Sequence, residues 1–329
     1  MKTKPPNKMR YSLLNILTGS DLSKRKIPVM EARSIKPGPV LWLTACAHGD
    51  EIGGIVVVQE IFKILKKMPL LKGAVYAFPL MNSLGIETAS RHITLSEEDL
   101  NRSFPGSPDG SLAERIAHKI FTAIIETKPT LVIDLHNDWT QTIPYALIDP
   151  LPAFRDRQIY EKVKFFIKKS GLIVIGEQKE SMEEEEVHHS LTFSMIKRNI
   201  PAISLELGES YVINEKNVEI GVNAILNILF ELGMISYEKK FAYPMPENVR
   251  GRILKYSDKP SSSKSGILRF AVKAGDIVSK GQAVAKVYNA FGKIQETITA
   301  QHESVVLGLS DTHVSFPGAP IMAFGIIPK

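Results

Sequence analysis

Cysteine is nearly absent from this 329-residue sequence, with Cys46 standing alone. One thiol excludes any intrachain disulfide and suits a reducing compartment. Long apolar runs are missing as well. No stretch approaches the ~20 consecutive apolar residues of a membrane-spanning helix. Residues 1–12 carry Lys, Arg and Pro instead of the apolar segment and small-residue cleavage site of a secretory signal. There is no long basic run either, because the 41 Lys and Arg against 35 Asp and Glu leave a net +6 spread along the chain. Neither nucleic acid nor a membrane is therefore expected as a partner. The expectation is a soluble cytoplasmic protein, long enough for one large domain and a small one at ~100–200 residues per domain.

Residues 39–235 alternate between short apolar runs and longer stretches of helical period. The runs at 40–46, 75–78, 131–135, 172–175 and 202–205 are apolar on both faces, as strands buried under helices are. Between them, 52–67, 112–126, 159–169 and 218–232 repeat apolar residues every three or four positions. This predicts an α/β fold with a mixed, largely parallel sheet and helices on both faces. Such sheets hold their sites at the carboxyl ends of strands. The pattern changes after Tyr243, where prolines and a Ser-rich stretch (259–266) precede short runs punctuated by glycine, with no helical period. The predicted division is a large α/β domain at 1–243 and a small all-β domain at 244–329. A faint echo between 278–283 and 314–319 suggests two interlocked halves in the latter.

The first strand ends in Cys46-Ala47-His48-Gly49-Asp50-Glu51, and the third in Asp134-Leu135-His136. His48, Glu51 and His136 make a His₂Glu set with an open fourth position, the donor set of catalytic zinc. Asp134, two residues before His136 and on the same face, is placed either to fix the tautomer of a ligand histidine or only to order the loop. The fifth strand ends at Glu206-Leu207-Gly208-Glu209. A carboxylate there is costly to bury without purpose and suits a general base beside a metal; spacing does not choose between Glu206 and Glu209. Arg91 and Arg102 lie in polar, turn-rich sequence after the second strand, either as fixed cations for a carboxylate or a developing oxyanion or as surface arginines. Glu183–Glu186 with His188-His189 reads as a solvated loop leading into a helix, with a lid as the alternative.

Taken together, His48-Gly49-Asp50-Glu51, the segment from Asn82 to Arg91, Asp99-Leu100-Asn101-Arg102-Ser103-Phe104-Pro105-Gly106, Asp134-Leu135-His136 and Glu206-Leu207-Gly208 resemble the succinylglutamate desuccinylase/aspartoacylase family, relatives of the zinc carboxypeptidases. The resemblance spans most of 28–235. It implies one zinc ion per chain on His48, Glu51 and His136. By the same likeness Glu206 is general base and then proton donor, Arg91 polarises the scissile carbonyl, and Asn101 with Arg102 holds a substrate carboxylate. The implied substrate is a small N-acylated amino acid or related amine. Residues 244–329 resemble the barrel-sandwich hybrid of biotinyl and lipoyl carriers through 274–282. The turn at 290–294 lacks the flanking methionines of a biotin acceptor, so a structural or site-capping role is expected.

Three other readings compete with the deacylase. They are a zinc carboxypeptidase acting on short peptides, a non-catalytic metal-bearing binding protein, and an iron oxygenase with a two-His-one-carboxylate triad. The last sits badly with ligands on an α/β sheet and an extra glutamate placed as base. The sequence leaves room for a homo-oligomer.

Overall fold

The structure is a computed structural model that describes residues 8–18, 22, 24–177, 188–236 and 241–328. In chain order the first part holds β1 (Lys8–Thr18), β2 (Lys24–Arg33), β3 (Val40–Ala45), α1 (Gly53–Lys67), β4 (Ala74–Phe78), α2 (Leu112–Glu126), β5 (Leu131–Asp138), β6 (Gln141–Thr142), β7 (Pro144–Ile148), α3 (Arg157–Lys169), β8 (Ile173–Gly176), α4 (Leu191–Ile196), β9 (Ala202–Glu209) and α5 (Glu215–Glu231). The second part is β throughout its described residues: β10 (Ile253–Ser257), β11 (Gly266–Phe270), β12 (Ile277–Val278), β13 (Ala283–Tyr288), β14 (Ile294–Thr299), β15 (Ser304–Leu309), β16 (Val314–Ser315) and β17 (Met322–Ile326).

The apolar periods become buried faces. On α1 the sequence buries Val57, Val58, Ile61, Phe62 and Leu65. On α2 it buries Ile116, Ile120, Phe121 and Ile124 behind a capping box of Ser111 and Glu114 that satisfies the first free N–H groups. Helices α1, α3 and α5 pack on one another over the sheet, whereas α4 lies against β5 and β9, and α2 reaches β1. A short loop return after β5 brings β7 back antiparallel to β9.

That return divides the sheet into two parallel blocks. Strands β4-β3-β5-β9 run one way and β7-β8-β10 the other. The expectation of a mixed α/β sheet holds, with the reversal at β7 as its structural cause. The chain leaves β3 to pair β4 on one side and comes back to pair β5 on the other, so the crevice at the carboxyl ends of β3 and β5 is a topological switch point.

Hydrogen bonding continues past Tyr243. β10 joins β8 in parallel, and β17, β15 and β12 extend the same 13-stranded sheet. Four more strands form a separate antiparallel sheet, β14-β13-β11-β16. The echoed strings lie at related corners. Each runs from a short strand, β12 or β16, over a glycine of positive φ, Gly281 or Gly318, towards the next strand. β12 pairs with β15 and β16 with β11, so each half lends a strand to the other.

Candidate metal centre and substrate cavity

The turn after β3 is tightly fixed. Cys46 adopts a left-handed backbone (φ 56°), and Gly49 donates its N–H to Ser90 O at 2.9 Å. A Cβ on Gly49 would lie 2.1 Å from the carbonyl carbon of Gly85, so only glycine fits against the 82–91 loop. The turn delivers His48 and Glu51, both buried, opposite His136 from β5. Their ligand atoms all lie within 4.8 Å of one another.

Ring orientation shows what this cluster suits. Nδ1 of His48 meets Glu51 Oε1, and Nδ1 of His136 lies 2.8 Å from Glu51 Oε2. The opposite nitrogens are tied back, His48 Nε2 to Asp99 Oδ1 at 3.1 Å and His136 Nε2 to Asp134 Oδ2 at 2.9 Å. A carboxylate on Nε2–H holds the tautomer whose Nδ1 lone pair is free for a metal. Asp134 is itself steadied by the Thr44 hydroxyl at 2.6 Å. The backbone N–H of Asn137 donates to Glu51 Oε2 at 3.2 Å. Two nitrogens and a carboxylate converging from rigid strand ends fit a zinc ion. Burial works against the charge of Glu51, but the two histidines outweigh it and hold the carboxyl below its ordinary range.

Glu206, in register with His136 on the neighbouring strand, faces the same space. Its Oε2 is buried with no hydrogen-bond partner among the described residues. Burial is the main cause that pushes its carboxyl well above the ordinary range; His136 opposes the shift, and Asp138, Glu51 and Asp134 add to it. Glu209 is differently placed. Asn214 and Asn217 donate to its carboxylate at 2.6–3.3 Å, and it lies outside the cavity. Of the two glutamates that spacing left open, Glu206 alone meets the metal cluster.

Arg91 lies beside the cluster. Its Nε and Nη2 donate to Asp99 Oδ2 at 3.2 and 3.0 Å, and its Nη1 stands 3.9 Å from Glu51 Oε1. Arg102 lines the cavity with Nη1 on Asn101 O at 3.0 Å. Asn101 is buried; its Oδ1 accepts from Leu191 N at 2.9 Å and its Nδ2 lies 3.4 Å from His136 Nε2. All seven residues singled out as ligands, base or anchors thus border one cavity of about 620 Å³. Among the described residues, His189 pairs with Phe104 through both backbone and ring (2.9 and 3.1 Å), and His188 stacks on Phe193. The acidic run Glu183–Glu186 lies outside the described residues.

Other lining residues escaped the sequence reading. Tyr145 on β7 donates to Asp138 Oδ2 at 2.7 Å, and Tyr256, Ser257, Asp258 and Lys259 come from β10 and its end. Asp149 and Glu177 line the cavity as well, just beyond the ends of β7 and β8. Only the antiparallel return of β7 and the pairing of β10 with β8 bring these residues here, and neither leaves a local sequence signal.

A curated relative, the N-alpha-acetyl-L-2,4-diaminobutyric acid deacetylase of Halomonas elongata, is 28% identical over 261 residues, 77% of this chain and 71% of its own. A succinylglutamate desuccinylase structure from Silicibacter sp. TM1040 superposes with a TM-score of 0.79 at 18% identity over 100% of both chains. The product-bound ectoine utilization protein EutE of Ruegeria pomeroyi superposes with a TM-score of 0.79 at 19% identity, covering 99% of this chain and 97% of that one. These two likenesses show the shared fold, including the C-terminal strands. The succinylglutamate desuccinylase/aspartoacylase catalytic domain matches residues 37–232, and the chain belongs to that family.

Proposed function

We propose that the protein is a zinc-dependent deacylase that hydrolyses the amide bond of a small N-acyl amino acid or related acylated amine. One observation carries the reading: the buried Oε2 of Glu206, without a partner among the described residues, shares a cavity with the converging Nδ1, Nδ1 and carboxylate donors of His48, His136 and Glu51. Zinc bound there supplies a Lewis-acid charge for water activation and carbonyl polarisation. Glu206 takes a proton from the attacking water and passes it to the leaving nitrogen. A C–O bond forms as the C–N bond breaks, giving a carboxylic acid and an amine. Arg91 offers positive charge to the carbonyl oxygen as it becomes anionic. Arg102 presents a planar fork to a substrate carboxylate, next to the amide of Asn101.

The Halomonas relative's name supports an N-acyl amino acid as the substrate class. A carboxypeptidase reading has less support, because the curated relative is named as a deacetylase of an N-acyl amino acid. Among the described residues no helix is long and apolar enough to cross a membrane. With the single buried Cys46, this supports a cytoplasmic enzyme. We keep 1–243 and 244–329 as the two domains, with the second closing one side of the cavity.

Glu206→Gln tests the central claim. Turnover should fall ~10²-fold or more while zinc content stays near one per chain. The base works only when deprotonated, so kcat/KM should decline on the acid side at a higher pH than an exposed glutamate would give. A variant with near-normal turnover would remove Glu206 from the role.

A further inference from the structure

Three residues stand in one row across the sheet. His136 on β5 is in register with Glu206 on β9, and Glu206 is in register with Tyr145 on β7. Residues in register share a face, and neighbouring strands lie ~4.8 Å apart. All three side chains line the cavity. The row therefore runs from a histidine of the His48-Glu51-His136 cluster, through the carboxylate of Glu206, to a phenol. The proposed hydrolysis uses the first two and leaves Tyr145 without a part.

The phenol is fixed and polarised. Tyr145 is only 3% exposed, and its hydroxyl donates to Asp138 Oδ2 at 2.7 Å. Asp138 lies two residues past His136 on β5, so the ring crosses β9 beside Glu206 to reach it. The same carboxylate accepts from the Trp139 N–H, and the Asp138 carbonyl accepts from Ser210 N at 3.2 Å. Burial first, then the charges of Asp138 and Glu206, push the phenol well above its ordinary range, so it keeps its proton. A phenol has one proton to give. With that proton on Asp138, the oxygen is left to the cavity as an acceptor, made richer in electrons by the carboxylate behind it.

A secondary amide carries its C=O and N–H on opposite sides of the C–N bond. With the carbonyl towards the His136 end of the row, the N–H points the other way, towards Tyr145. We infer that Tyr145 is a further catalytic residue, whose oxygen accepts a hydrogen bond from the N–H of the scissile amide and keeps it through bond cleavage. This rests on the deacylase reading and adds to it a requirement for a hydrogen on the scissile nitrogen. The nitrogen turns from planar to pyramidal as water adds to the carbonyl carbon. Holding its N–H at Tyr145 directs the new lone pair at the proton carried by Glu206. That proton passes to nitrogen as the C–N bond breaks, and the original N–H stays in place. The nitrogen gains positive charge in this step, so its bond to the phenol oxygen strengthens in the transition state.

The test uses the full-length zinc-loaded enzyme and matched pairs of substrates. N-acetyl-aspartate is paired with O-acetyl-malate, N-acetyl-glutamate with 2-acetoxyglutarate, and N2-acetylornithine with its 2-acetoxy counterpart. In each pair an ester oxygen, an acceptor, replaces the N–H. Tyr145→Phe should lower kcat/KM for the cleaved amide ~10-fold or more, chiefly through kcat. The ester, followed by turnover or as a competitive inhibitor, should hold within about threefold or improve. A defect in folding or metal binding would lower both alike. Asp138→Asn keeps the shape of the pair and removes the charge behind the phenol. It should move the amide-to-ester ratio the same way by about threefold or more, and it decides the matter where Tyr145→Phe does not fold. Equal losses on amide and ester, or no loss on either, would overturn the inference and leave the deacylase reading standing. If the wild type cleaves none of the amides, the deacylase reading falls and the inference falls with it.

Discussion

The imidazoles of His48 and His136 are each held at both nitrogens, Nδ1 by Glu51 and Nε2 by an aspartate. Asp99 does the more varied work. One oxygen accepts from His48 Nε2 and from the Asn101 N–H at 2.8 Å, and the other holds Arg91, so a single carboxylate sets both His48 and the cation beside it. Burial opposes its charge, but His48, Arg91 and Arg102 outweigh that and keep it ionised. Asp99→Asn keeps an acceptor for the Asn101 N–H but loses the charge that fixes the His48 tautomer. Zinc affinity should fall ~10–100-fold, measured by chelator competition, with the thermal midpoint of the metal-free protein little changed. Unaltered zinc affinity would mean that Asp99 serves Arg91 alone. In the sequence, Asp99 could be read only as part of a motif; Asp134 was legible because it shares a strand face with His136 at a spacing of two.

At the scale of elements, the strands and helices around the site were legible because burial on both faces, or on one face of a helix, leaves a plain apolar pattern. β3, α1 and α2 match the predicted runs to within a residue, and β5 and β9 start where predicted but continue to Asp138 and Glu209. The β1–β2 hairpin was not legible. It lies at the sheet edge and alternates apolar with polar residues, leaving Tyr11 and Leu13 exposed. β7 was missed for another reason: it is five residues long and starts at a proline, so no run stands out. That omission hid the far half of the cavity, since β7 reverses the sheet. The turn between β3 and α1 shows how local sequence fixes the site. Gly49→Ala would force its Cβ into the Gly85 backbone, 2.1 Å from the carbonyl carbon and 2.5 Å from its oxygen. Neither chain can step aside without moving His48 or the 82–91 loop. The variant should lose ~2 kcal/mol or more in denaturant unfolding and bind zinc poorly. Wild-type stability together with full zinc occupancy would show that the two backbones are free to separate.

Composition marks a change of character at Tyr243, yet the whole molecule is knitted across it. A buried apolar cluster joins Ile143, Tyr145, Ile173 and Ile175 from the first part to Val249, Leu254, Val305, Leu307 and Ala323 from the second. Backbone pairing of β10 with β8 and of β6 with β15 crosses the same seam. The sheet crosses this boundary because the edge left by β8 needs a strand beside it and its apolar face needs a cover. Removing the second part would expose that edge and take Tyr256 and Asp258 out of the cavity wall, so catalysis and stability should fail together. A milder perturbation tests the coupling in the intact chain. Leu254 is fully buried at the seam, and Leu254→Ala should cost ~2–5 kcal/mol by loss of burial and the cavity left behind. Calorimetry should show one unfolding transition for the zinc-loaded wild type, and the substitution should move all of it. Two resolved transitions, with only one displaced by Leu254→Ala, would mean that the C-terminal strands fold as a separate unit and that the seam transmits little.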